Sequence, residues 1–123
     1  MTTDQLIKSE QDGDVTVISF LQGAETINST IVDQIANRLT AMVRNASDRV
    51  LIDLQQVEFF NSMFVELLVR CWKVAREKQG GQLALCQLRP YCREILEVTN
   101  LDTIWPIYPT REAALDQMQH PVS

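Results

Sequence analysis

The sequence predicts an α/β fold, a mixed β-sheet of about four to six strands covered by about four α-helices. Three observations carry this. Residues 15–21 and 50–54 are apolar, β-branched runs that read as buried strands. From residue 30 onward, segments with helical apolar spacing alternate with strand-like runs, the order that builds parallel crossovers. The 123 residues suffice for one hydrophobic core and are too few for two ordinary ones, so a single domain over residues 1–123 is expected.

The turn signal Asp12-Gly13-Asp14 joins the weaker segment 6–10 to the run 15–21 as a hairpin. A short edge strand is predicted around residues 24–27. Thr30, with Asp33 three residues on, marks a helix start, and Ile31, Ile35, Leu39, Met42 and Val43 repeat on one stripe as far as Asn45. The run 50–54 ends at Gln55-Gln56 and lacks clean alternation, which fits a central strand buried on both faces. A second helix is predicted over residues 62–78. Its stripe is Val65, Leu68, Val69, Trp72 and Ala75, widened by Leu67, Cys71 and Val74, and Gly80-Gly81 ends it. Residues 83–88 read as another buried strand, and Pro90 opens a short helix to Val98. A last strand is predicted over 104–108, placed at an edge by Pro106. Thr110 caps a final helix containing Ala113, Ala114, Leu115 and Met118, with the tail from His120 onward expected to fray.

Composition excludes several function classes. Hydrophobic residues make up 46% and charged residues 22%, the balance of a globular chain. Uncharged runs fall short of the roughly 20 apolar residues of a membrane span. The N-terminal segment has neither the basic start nor the apolar core of a signal peptide, so a cytoplasmic chain without direct membrane insertion is expected. A formal net charge of −5 and the lack of a basic cluster argue against nucleic acid as partner. Cys71, Cys86 and Cys92 lie in or beside apolar segments without Cys-x-x-Cys spacing, which points to buried thiols. The single histidine, His120, sits in the tail. No phosphate-cradling glycine loop or metal-ligand spacing is present, so no catalytic residue, cofactor or metal is expected.

The candidate functional surface is the junction where the strand region meets the second helix, at Asn61, Ser62, Met63 and Phe64, with Glu66 one turn on. Asn61 or Ser62 should cap the helix. Backbone N–H groups in a first helical turn lack intrahelical partners and carry partial positive charge, which suits an acceptor group from a partner or an added phosphate. Met63 and Phe64 either form an adaptable apolar contact patch or tuck against the neighbouring helix; the sequence leaves both open.

Several segments, in order, resemble the STAS domain, the fold of bacterial anti-sigma factor antagonists, over about residues 15–118. They are Asp53-Leu54, Val57, Phe59, Asn61-Ser62-Met63-Phe64 and Leu67-Leu68; then Gly80-Gly81-Gln82-Leu83-Ala84-Leu85; then Arg93, Ile95-Leu96, Thr99, Leu101 and Ile107; and last Glu112-Ala113-Ala114-Leu115. The resemblance implies a non-enzymatic protein-interaction module in transcriptional regulation, whose partner is an anti-sigma factor kinase or a signalling scaffold. In that family the kinase phosphorylates the second serine of Asp-Ser-Ser-Gly and so weakens the complex. Here Asn61 stands for the aspartate, Ser62 keeps the first serine and Met63 occupies the acceptor position, while Phe64 and Glu66 replace glycines. Methionine accepts no phosphate, so the switch is either absent or displaced to Ser62. Asp53 matches the family's aspartate at the strand end, where a carboxylate orients the following loop by accepting N–H bonds. The alternative is a STAS-like accessory subunit of a lipid ABC transporter, with the transporter ATPase as partner. A small nucleotide-binding or enzymatic domain is a third reading, marked by heat stabilisation on adding nucleotide.

Overall fold

The hairpin forms where its turn signal sits. In the computed structural model, which describes residues 5–119, β1 (Ile7–Asp12) pairs antiparallel with β2 (Val15–Phe20). Gly13 takes a left-handed φ of 57° between them. The chain continues through β3 (Thr26–Ile27), α1 (Ser29–Arg44), β4 (Arg49–Asp53), β5 (Phe59–Phe60) and α2 (Ser62–Arg76). It ends with β6 (Gln82–Cys86), α3 (Pro90–Val98), β7 (Ile107–Tyr108) and α4 (Arg111–Gln119). The main sheet has the order β1-β2-β4-β6-β7 and is parallel except at β1. The mixed sheet and four helices agree with the predicted fold class.

Strand period divides the core in two. One face of β2, β4 and β6 presents Ile18, Phe20, Val50, Ile52, Leu83 and Leu85 to Ile35, Leu39, Leu68 and Cys71 of α1 and α2. The other face presents Val15, Val17, Leu51, Ala84 and Cys86 to Ala114 and Met118 of α4. Every residue of β2 is buried, so the absence of alternation in the central strands reflects helices on both sides.

Three expectations need correction. The strand around 24–27 exists but joins no main-sheet edge; it pairs in parallel with β5 as a separate two-stranded ribbon. Helix α1 starts at Ser29 under an Asn28 cap, ahead of Thr30, because the Asn28 side chain accepts the Ile31 N–H at 3.0 Å. The last strand is only Ile107–Tyr108: a 3-10 turn occupies Leu101–Thr103, and Pro106, which has no N–H to give, accepts from Leu85 through its carbonyl. Thr110 caps α4 as predicted, accepting the Ala113 N–H at 3.0 Å. The fraying expected from His120 lies outside the described residues.

The exit from α2 depends on a close backbone approach. A Cβ at Gly81 would overlap the Ala75 carbonyl oxygen, which accepts the Lys78 N–H. Gly81→Ala should therefore cost about 2 kcal/mol, since backbone rather than a flexible side chain must yield. Urea unfolding checks this, and an unchanged midpoint would show that the turn relaxes freely.

Candidate partner-binding site

The junction is built by a short strand that runs straight into a helix. β5 ends at Phe60, Asn61 stays extended at φ −102°, and its side-chain oxygen accepts the Phe64 N–H at 3.1 Å. Asn61 is thus the cap, which leaves Ser62 exposed as the first helical residue without a capping role. Met63 is 38% exposed and Glu66 is exposed one turn beyond Ser62. Phe64 is different. It is fully buried, edge-on to Phe20 with ring centroids 5.7 Å apart and tilted against Phe60 at 5.2 Å. The expectation that Phe64 lies on the contact surface is therefore corrected: at a helix's third residue its ring points back into the core beneath the junction.

A second junction of the same construction lies alongside. β3 and β5 pair with Ile27 opposite Phe60, so the caps Asn28 and Asn61 follow in register. The Asn61 amide donates to the Ser29 hydroxyl at 3.4 Å. Two helix starts, each Asn-Ser, thereby stand side by side at one end of the molecule. The signal was present in the sequence as a repeat, Ile27-Asn28-Ser29-Thr30-Ile31-Val32 against Phe60-Asn61-Ser62-Met63-Phe64-Val65. The Thr30/Asp33 helix-start pattern obscured it.

Asp53 closes β4 at 4% exposure and organises the carboxyl ends of the sheet. It accepts the Gln55 N–H at 3.0 Å, which is the loop-orienting role expected of it. Gln87 also donates to both of its oxygens at 3.0 Å, and Arg111 pairs with it at 2.8 Å. Arg111 reaches Ser19 at 2.9 Å and Glu10 at 3.0 Å as well, tying α4 to β1, β2 and β4. Burial opposes the guanidinium charge, but the bonds to Asp53 and Glu10 outweigh it and hold the Arg111 pKa above its ordinary value.

The three thiols are buried and free. Burial pushes Cys71 and Cys86 up to about 12, with the Asp53 charge adding at Cys86, and pushes Cys92 up to about 11. Their raised values keep them protonated at neutral pH, the state of cysteines that pack as small apolar side chains. The raised values also fix a pH dependence. A thiol that ionises at its ordinary 9.0 when unfolded and near 12 when folded contributes its full stability below pH 9, and that contribution fades as pH rises toward 12. The melting temperature should fall between about pH 9 and about pH 11, less steeply in Cys71→Ala than in the parent. Identical slopes would show that Cys71 ionises equally well in the folded state. Among the described residues no cluster of His, Cys, Asp and Glu could hold a metal, and no helix is long and apolar enough to cross a membrane.

This architecture has counterparts among known proteins. Residues 7–114 match the STAS domain family. The chain belongs to that family. This STAS domain is 34% identical over 98 residues to BtrV of Bordetella bronchiseptica, named an anti-sigma factor antagonist, with 80% of this chain and 82% of that protein covered. It is 25% identical over 79 residues to the anti-sigma F factor antagonist of Paenibacillus polymyxa, covering 64% of this chain and 67% of that protein. Among solved structures, an anti-sigma-factor antagonist STAS domain protein from Planctomyces limnophilus superposes with a TM-score of 0.87 at 47% identity. That match covers 92% of this STAS domain and 97% of the Planctomyces limnophilus chain.

Proposed function

We propose that this STAS domain is a non-enzymatic, cytoplasmic interaction module that binds an anti-sigma factor kinase through the start of α2, and that it binds without the family's phosphorylation switch. The observation that carries this is the pair Ser62 and Met63. Asn61 alone caps α2, so both side chains stand exposed at the helix start, and the one at the acceptor position is a thioether. A methionine there contributes adaptable apolar contact and takes no phosphate. Ser62 keeps a hydroxyl beside it, but the exposed Glu66 one turn away disfavours a second negative group on that face.

The test is capture of the tagged protein with its partner from its own cells, with and without ATP. A kinase-type anti-sigma factor that stays bound in ATP, with no phosphate on Ser62, is expected. Ser62→Glu, which leaves the Asn61 cap intact, should weaken that complex about tenfold by placing charge inside the contact surface. ATP-driven release with phosphate found on Ser62 would restore the switch and overturn constitutive binding. Co-purification of ATPase and permease subunits would replace the kinase with a transporter.

A further inference from the structure

Helix α3 has more apolar surface than its own packing uses. Of its nine residues only Cys92 and Leu96 are buried. Tyr91, Ile95 and Val98 recur at i, i+4 and i+7 on a second stripe, with Tyr91 52% and Val98 75% exposed. Tyr91 stacks on Phe59 of β5, ring centroids 5.4 Å apart and planes 23° from parallel, and Phe59 is itself 39% exposed. Between these rings and the start of α2 lies a cleft of about 400 Å³, with Phe60, Val65, Ile95 and Leu101 in its lining.

The charged residue in the lining of this cleft is Glu66, and no lysine or arginine lines it. Exposed Glu94 shares the α3 stripe with Tyr91 and Val98, and exposed Glu58 precedes Phe59. Of the nearby cations, Arg93 pairs with Glu97 at 3.4 Å and Arg89 donates to the Gln55 carbonyl at 3.2 Å, while Arg70 lies one turn beyond Glu66 on α2, outside the cleft's lining. An apolar trough rimmed by carboxylates complements a helix with an aliphatic face and flanking Lys or Arg, and repels an acidic one.

We infer that the α2–α3 cleft seats a basic amphipathic helix of the partner protein. This rests on the reading that the partner docks at the α2 start, and it adds the chemistry of the docked segment. The aliphatic face covers the Phe59–Tyr91 stack and Ile95, while basic residues on its flanks meet Glu66 and Glu94. Ser62 and Met63 at the cleft's end then lie where the same partner continues over the junction.

The probe is a helical peptide of about 18 residues with a leucine face and lysine flanks, titrated into the full chain while backbone amide shifts are followed by NMR. A mirror peptide with glutamate flanks is the control. Shifts should concentrate at Phe59, Val65, Tyr91, Ile95 and Leu101. Affinity should fall about tenfold for the glutamate peptide, for Tyr91→Ala/Val98→Ala and for Glu66→Lys/Glu94→Lys. Tyr91, Val98, Glu66 and Glu94 are exposed, so their substitution leaves the core intact. Equal affinity for the two peptides, shifts scattered over the acidic surface, or no binding would each overturn the inference. Association with phosphatidylglycerol vesicles through these residues would do so as well, replacing the protein partner with a lipid surface. The outcome separates from that of the kinase reading: peptide docking in the cleft together with capture of a non-kinase partner keeps the cleft and removes the kinase. Capture of a kinase that tolerates Tyr91→Ala/Val98→Ala does the reverse.

Discussion

Phe64→Ala is expected to lower stability by about 4 kcal/mol, the loss typical when a buried aromatic ring leaves a cavity that its surroundings fill only in part. The site is poorly placed to collapse. Phe64 sits between Phe20 of β2 and Phe60 of β5, at 5.7 and 5.2 Å, so the void would open where sheet, ribbon and helix meet. Phe64→Leu, which keeps an apolar filling, should cost about 1.5 kcal/mol. Met63→Ala, at 38% exposure, should change stability by no more than about 0.5 kcal/mol while weakening partner capture. Urea unfolding of the three variants ranks them. A Phe64→Ala loss below about 1 kcal/mol would mean that the ring spends its time at the surface, returning it to the partner interface.

The contrast between neighbours 63 and 64 shows where sequence reading stops. The junction itself was legible, because an apolar run followed by Asn-Ser and a helical pattern has few other solutions. Which of two adjacent apolar residues faces inward follows the helix's apolar stripe: Phe64 lies three and four residues before buried Leu67 and Leu68, whereas Met63 shares its face with exposed Glu66 and Arg70. A stripe centred on Val65, Val69 and Trp72 hides this, and because Asn61 and Ser62 both cap well, local propensity does not say which of them is the cap. The structure resolves it through β5, which pairs with β3 and leaves Asn61, in register with Asn28, as the last extended residue.

The element order was legible for a related reason. Helical and strand periods alternate along the chain, and the glycines and prolines fall at the boundaries, as at Gly80 with φ 74° and Pro90 at the first turn of α3. What failed were short elements whose partners are distant. Ile104 and Trp105 look like strand residues, yet Trp105 is buried beside the 3-10 turn, and contact with β6 begins at the Pro106 carbonyl and continues through Ile107–Tyr108. The Phe59–Tyr91 stack joins residues from two elements that neither period nor capping relates, so no local pattern announces it. The same limit hid Arg111, whose contacts with Asp53, Ser19 and Glu10 all span long stretches of chain.

Arg111→Ala is expected to cost about 3 kcal/mol, and the reason lies in an apparent misplacement. Arg111 is the first residue of α4, where the helix's partial positive charge disfavours a cation. Its position is explained by Asp53, 4% exposed at the end of β4, and by Glu10 on β1. The two carboxylates should count very differently. The Glu10 side chain is 47% exposed, so its bond to Arg111 is screened by water and salt and contributes no more than about 0.5 kcal/mol. Asp53 is shut away from water, and removing its cation leaves a buried negative charge, the situation that costs about 3–5 kcal/mol in other proteins. Here the lower end applies, because Gln87 and the Gln55 N–H still hydrogen-bond the carboxylate and Arg111 itself is 29% exposed. Unfolding of Arg111→Ala, Glu10→Ala and Asp53→Asn, with the Arg111/Asp53 double variant, apportions the terms. The double variant should be more stable than Arg111→Ala alone, since neutralising Asp53 removes the charge that Arg111→Ala leaves without its partner. If instead the losses simply add, Arg111 holds α4 through its aliphatic packing and its bond to Ser19, and the ion pair is incidental to the fold.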